Sequence, residues 1–375
     1  MGLGLIATGA CIWAAGMTPA WSYELTIGQT LSLSGTQSGI ATELLRGRTQ
    51  CVNHVNLQLK PLGVKLRLVT RDDAGDPQLA LRLVREMVAQ EDPALMFGAM
   101  GPAVNAAILK WAADEGMAVI APHGGDVQNR GKVSSTAFFL TANQSAEALR
   151  LASHVTSLGL QRVAVIHSAD AAGRAALTAF EEGLMVNNVA VRRISAVRPD
   201  GSDAAAAVQD AMVSDAQALL LATSGRPTAL ILQSLSKVQG STRILQVYGL
   251  SSAASPTTLA ELGDSARGFV MTQVLPSPRD GAVSGLVRTF QQAMAKSPGA
   301  RTHAELEGCL APLTLAEVLK RKPSVPPTRA GILAALRGAA RVDLGDFQVD
   351  LTDTTHAGAR FTDIVFVSDK GRITR

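Results

Sequence analysis

Aromatic residues are scarce in this chain. They make up 4% of its 375 positions, with 2 tyrosines and 3 tryptophans. No basic stripe interleaved with aromatics exists to stack on bases. The one dense basic patch, Lys320-Arg321-Lys322, runs into the proline-rich stretch Pro323–Pro327 and reads as a helix C-terminus answering its own dipole. Nucleic acid is therefore not an expected partner, and the net charge of +4 is modest and dispersed. Cysteine is equally rare: Cys11, Cys51 and Cys309 form no CxxC pair, which excludes a local zinc or redox motif. Past residue 22 no apolar run reaches the length of a membrane span.

Catalytic signatures are missing too. The six histidines, His54, His123, His154, His167, His303 and His356, form neither HxxxH nor HExxH, and there is no G-x-S-x-G elbow or Walker lysine. The chain is not expected to be an enzyme or to carry a cofactor or metal. Asp72-Asp73 resembles a catalytic carboxylate pair. Standing just before a helix start at Asp76-Pro77, it is better read as turn and capping chemistry.

Small residues and turns are abundant. The first 22 residues, "MGLGLIATGACIWAAGMTPAWS", carry no charge and end in small residues suited to signal-peptide cleavage before Tyr23, so export to the periplasm is expected. They lack the basic residue usual near the start. Lipid anchoring through Cys11 is less well supported, and "GLGLIA" follows no strand and is not a dinucleotide fingerprint. An exported protein can pair Cys51 with Cys309, but 258 residues of separation say nothing of proximity, and two buried free thiols are the plainer expectation.

From Tyr23 onward strands alternate with helices. "LTIGQTL" leads through "SLSGTQSG" to a helix over about Ile40–Asn56, and "VKLRLVTR" leads to "PQLALRLVREMVAQ". "ALMFGAMGP" turns into a helix, and "AVIAP" closes the first series near Thr141. "RVAVIHS", "ALLLATS" and "RILQVYGL" repeat the rhythm. Three strandless helices follow from about Ala282, and then "GDFQVDL" and "ARFTDIVFVSD". Such alternation implies parallel sheets covered on both faces, here in two lobes. Pro312, inside the long late helix, is expected to kink it.

"IGQTLSLSG", "VTRDDAGDP", "MFGAMGPAVNAAI", "MAVIAPHGG", "RVAVIHSADAAGRAAL", "AELEGCLAPLTLAEVL" and "DLGDFQVDLTDTTHAGARF", in that order, resemble the branched-chain amino-acid-binding family, the type I periplasmic binding proteins of ABC importers. The resemblance implies an α/β fold of two doubly wound, Rossmann-like lobes joined by a three-stranded hinge. Lobe 1 would be 23–141 plus 273–346, and lobe 2 would be 142–272 plus 347–375. It also implies a monomer that holds a small molecule between the lobes and presents it to an ABC permease. The alternative is a periplasmic ligand sensor acting on a receptor.

The family's ligand positions fall here on Met100, Gly101, Pro102 and Ala103 after the third strand, and on His123, Gly124 and Gly125 after the fourth. In lobe 2 they fall on Asn143, Gln144, Ala172, Ser224 and Tyr248. Where amino-acid binders use a hydroxyl, this chain has Pro102. Where they use an acid for the ligand ammonium, it has Tyr248. An ammonium entering such a cleft would lose its water without gaining a charge partner. The expected ligand is thus an organic acid, amide or amino-acid-like molecule, held through the Ala103 and Val104 amides.

Overall fold

The computed structural model describes residues 23–34, 38–123, 136–238, 245–279, 283–299, 301–352 and 358–374. The leader-like segment with Cys11 and the pair Gly124–Gly125 lie outside the described residues.

Short, largely buried apolar runs give the first sheet. Strand β1 (Tyr23–Leu31) pairs in parallel with β2 (Val64–Asp72) and β3 (Leu95–Phe97). β4 (Val119–Ile120) and β5 (Ala137–Phe138) extend it in the order β2-β1-β3-β4-β5. Alternate residues serve opposite faces. Leu95, Phe97 and Ile120 enter one core cluster, while Met96 and Val119 enter another. The connecting helices α1 (Ser38–Leu59), α2 (Pro77–Glu91) and α3 (Pro102–Asp114) cover both faces. α2 starts where local chemistry requires: the Asp76 carboxylate accepts from the Gln78 and Leu79 amides, with Pro77 at the first helical position.

The second sheet has the order β14-β13-β10-β9-β8-β6-β7. Its parallel strands are β6 (Arg162–Ser168), β7 (Ala190–Val197), β8 (Ala218–Ala222), β9 (Gln246–Gly249) and β10 (Val270–Gln273). β13 (Asp363–Val367) and β14 (Ile373–Thr374) join antiparallel. α4 (Gln144–Ser157) and α5 (Ala171–Val186) cover one face; α6 (Ala204–Met212), α7 (Arg226–Val238) and α8 (Pro256–Leu262) cover the other.

Late helices α9 (Gly285–Ala293), α10 (His303–Arg321) and α11 (Arg329–Arg337) return to the first lobe, together with the hairpin of β11 (Arg341–Asp343) and β12 (Gln348–Asp350). The chain passes between lobes three times. Leu140 belongs to the first lobe's core and Ala148 to the second's; Met271 and Leu275 divide likewise, as do Ala359 and Val365. The last passage corrects the expected boundary at 346/347: Phe347, Val349, Leu351 and Ala359 all pack in lobe 1. Pairing of β12 with β11 keeps that stretch there, a non-local contact that the run "GDFQVDL" does not reveal by itself.

α10 begins with a capping box, Thr302 and Glu305 exchanging side-chain and backbone bonds. It runs on through Pro312, which cannot donate to the Gly308 carbonyl one turn earlier. α10 packs against α1 at very short range. A Cβ at Gly308 would overlap the Leu44 carbonyl, and one at Gly47 the Glu305 carbonyl, so both helices need glycine at the crossing. Cys51 and Cys309 are disulfide-bonded beside it, which overturns the expectation of free thiols. Among the described residues no helix is long and apolar enough to cross a membrane.

Candidate functional site

The carboxyl ends of β1, β2 and β3 open on a common cavity of about 270 Å³. Its wall is Ser32 and Ser34 after β1, Ala74 and Gly75 after β2, and Met100 to Val104 after β3. Ligands of open parallel sheets are found at this end. Two carboxylates knit the loops together. Asp72 accepts from the amides of Leu33 (2.9 Å), Ser34 (3.3 Å) and Ala74 (2.9 Å), which holds its pKa below the usual carboxylate range, the Ala74 amide contributing most. Asp73 accepts from the Ser32 hydroxyl and the Gly75 amide, both at 2.9 Å, and is buried behind the wall. The expected turn role of this acidic pair therefore holds.

The elbow Gly98–Val104 has a steric logic. A side chain at Gly98 would strike the Pro122 backbone, and Gly101 stands at φ 80°, where L-residues are strained. Pro102 then starts α3. The amides of Ala103 and Val104 occupy its first turn, where N–H groups lack intrahelical partners and the dipole is positive.

His123 lies one strand over. It forms a parallel bridge with Met100, its amide donates to Ala99 O (3.0 Å), and Asn105 Nδ2 of α3 donates to its carbonyl (3.0 Å). His123 Nδ1 is 2.9 Å from Glu307 Oε1 of α10, an ion pair when the imidazole is protonated. Beneath lies Arg48 of α1, only 1% exposed. It donates to Gln29 Oε1 (2.6 Å) and Ala121 O (3.3 Å) and stacks 5.7 Å from the Phe97 ring centre. Burial pushes its pKa down to about 10, partly offset by Glu307, and it remains a cation at neutral pH.

Four expected site residues, Met100, Gly101, Pro102 and Ala103, thus meet on one wall, with His123 adjoining. The lobe-2 candidates do not reach this cavity. Asn143 caps α4 by accepting from the Ala146 amide; Gln144 is buried at the start of α4. Ala172 and Ser224 are exposed at the starts of α5 and α7. Tyr248 is a correction. It is 0% exposed, packed among Leu151, Val155 and Leu220, with its ring edge-on to His154. Its place in β9 turns it toward α4 and α5. Sequence reasoning missed Ser32, Ala74 and Gly75, although the rule of strand carboxyl ends covers the loop after β2. It also missed Arg48 and Glu307, whose helical positions carry no signal of function. Among the described residues no cluster suited to a metal ion occurs.

The model of the periplasmic binding protein family matches residues 24–372. The chain belongs to that family. Its members are solute-binding proteins. The fold is similar to that of a substrate-binding periplasmic protein from Ralstonia solanacearum, with 25% identity, TM-score 0.79, and coverage of 93% of this chain and 99% of that one. It is also similar to an extracellular ligand-binding receptor from Verminephrobacter eiseniae, with 22% identity, TM-score 0.82, and coverage of 94% and 100%. A third likeness is a branched-chain amino acid ABC transporter protein from Thermus thermophilus with bound valine, at 16% identity, TM-score 0.76, and coverage of 94% and 95%. No curated protein matches the sequence significantly.

Proposed function

We propose that this protein is an exported solute-binding component of an ABC-type importer. It takes a small organic acid or amide at the carboxyl end of the first sheet and delivers it to a membrane permease. The observation that carries this reading is the 270 Å³ cavity, where the Ala103 and Val104 amides of a helix start meet the Ser32 and Ser34 loop. A carboxylate or carbonyl oxygen is the natural guest of such donors. Among the described residues no charged side chain lines the cavity, Asp73 is fully buried, and Tyr248 packs in the lobe-2 core. A free α-amino acid would leave its ammonium unpaired there. Lobe 2 would close over the ligand by bending at the three passages, and the closed form would be what the permease recognises.

A thermal-shift screen of the chain from Tyr23 tests this, using monocarboxylic acids, amides and the branched-chain amino acids. A ligand at about a thousand times its dissociation constant stabilises by roughly 4 kcal/mol. Acids or amides are expected to raise the melting temperature more than leucine or valine. A preference for leucine or valine would overturn the ligand class, and silence across the panel would overturn the importer reading.

A further inference from the structure

The cavity wall has two unlike halves. On the α3 side, the Ala103 and Val104 amides stand in the first helical turn, where N–H groups are left to find partners outside the helix. On the side of β1 and β2, all four wall residues already direct a donor to an acid. Ser34 and Ala74 give their amides to Asp72, at 3.3 Å and 2.9 Å. Ser32 gives its hydroxyl and Gly75 its amide to Asp73 Oδ1, both at 2.9 Å. The Ser32–Asp73 bond joins the ends of two neighbouring parallel strands and is buried, Asp73 being 0% exposed. A carboxylate only accepts, so the Ser32 hydroxyl is the donor and its oxygen keeps two lone pairs for another partner. There is room in front of that oxygen. A Cβ built on Gly75 would meet Ser32 Oγ at 3.5 Å and, beyond its chain neighbours, nothing else within 4 Å among the described residues.

We propose that Asp73 is a positioning residue for ligand recognition: it takes the Ser32 hydroxyl proton, leaves the oxygen as an acceptor on the wall, and so makes the cleft select a small primary amide over the carboxylate of the same shape. This rests on the reading of the cavity as the binding site. An amide satisfies both halves. Its carbonyl oxygen accepts from the α3 amides, and its N–H groups donate to Ser32 Oγ. The matching carboxylate has no proton to offer. Its second oxygen would face the Ser32 lone pairs, on the half of the wall that is bonded to two carboxylates, where a further negative charge is disfavoured. The helix start alone would favour the anion. The acidic pair reverses that order.

The test compares propionamide with propionate, which differ by one donor group and one charge. Calorimetry at neutral pH gives the two affinities, and the Ala103 and Val104 amide signals in NMR report occupancy of the cleft. In the wild type, propionamide should move both signals and bind about tenfold tighter than propionate. Ser32→Ala should weaken propionamide about three- to tenfold and leave propionate no weaker, so the ratio narrows. Asp73→Ala frees the hydroxyl proton to turn to the ligand, so propionate should gain while propionamide loses. Asp73→Asn should restore most of the ratio: its oxygen can face Ser32 and Gly75 as Oδ1 does, with the NH2 group in place of Oδ2, which has no hydrogen-bond partner among the described residues. A merely structural Asp73 would weaken both probes alike and leave the ratio where it was. If the signals respond but wild-type protein binds propionate as tightly as propionamide, or Ser32→Ala weakens the two alike, the inference falls and the cleft reading stands. Should Asp73→Ala fail to fold, Ser32→Ala decides. If neither probe moves the amide signals, the cleft reading falls and takes the inference with it.

Discussion

Cys51 of α1 and Cys309 of α10 are joined by a disulfide that brings Cα atoms 258 residues apart in sequence to 5.3 Å. It staples the first lobe's opening segment to the segment that returns after the whole of lobe 2. Closing so long a loop removes considerable entropy from the unfolded chain. The double substitution Cys51→Ala/Cys309→Ala is expected to cost about 3–5 kcal/mol in urea unfolding, and reductant should mimic it only once the lobe opens. A cost below about 1 kcal/mol would mean that packing alone holds α1 to α10.

The neighbouring crossing admits no side chain. In Gly308→Ala the new methyl meets the Leu44 carbonyl, a backbone atom that cannot rotate away. The helices must separate, at a cost of about 2–3 kcal/mol or more. The control is Gly159→Ser, an exposed glycine with open space around it, where the loss comes only from φ of 72°. Equal losses at the two sites in chemical denaturation would contradict the close approach.

Tyr248→Phe separates a core role from a ligand role. The phenol oxygen is buried with no hydrogen-bond partner among the described residues, and burial raises its pKa. Removing an unsatisfied hydroxyl is neutral or favourable, so stability should change by less than about 1 kcal/mol and ligand affinity not at all. A tenfold loss of affinity for any ligand found in the screen would return Tyr248 to the cleft.

Pro102→Ser restores both an N–H and a hydroxyl to the first turn of α3, at the cavity wall. Affinity for α-carboxylate ligands should rise several-fold in calorimetry, with heat more favourable by the added bonds. An unchanged ligand profile would show that the elbow does not touch the ligand's carboxylate.

Local chemistry was legible in the sequence. The Asp76-Pro77 start of α2, the glycine-spaced elbow before α3 and the period-two strands each depend on residues within a few positions. Their strict alternation determined two α/β lobes with parallel sheets. The family resemblance placed four wall residues, Met100 to Ala103, after the third strand, and they do line the cavity, because the end of a parallel strand is a place in the chain as well as in space. Whatever hangs on distant partners was decided by the tertiary structure. Tyr248 sits on a readable strand, yet only the register of β9 on β8, with Leu220 opposite, directs its ring to α4 and α5. The last passage between lobes shifted because β12 pairs with β11. The Cys51–Cys309 bond and the His123–Glu307 pair join segments separated by most of the chain. Spacing in sequence carries no information about such encounters, since they form only when packing of the whole lobe has already brought α1, α10 and the β4 loop together.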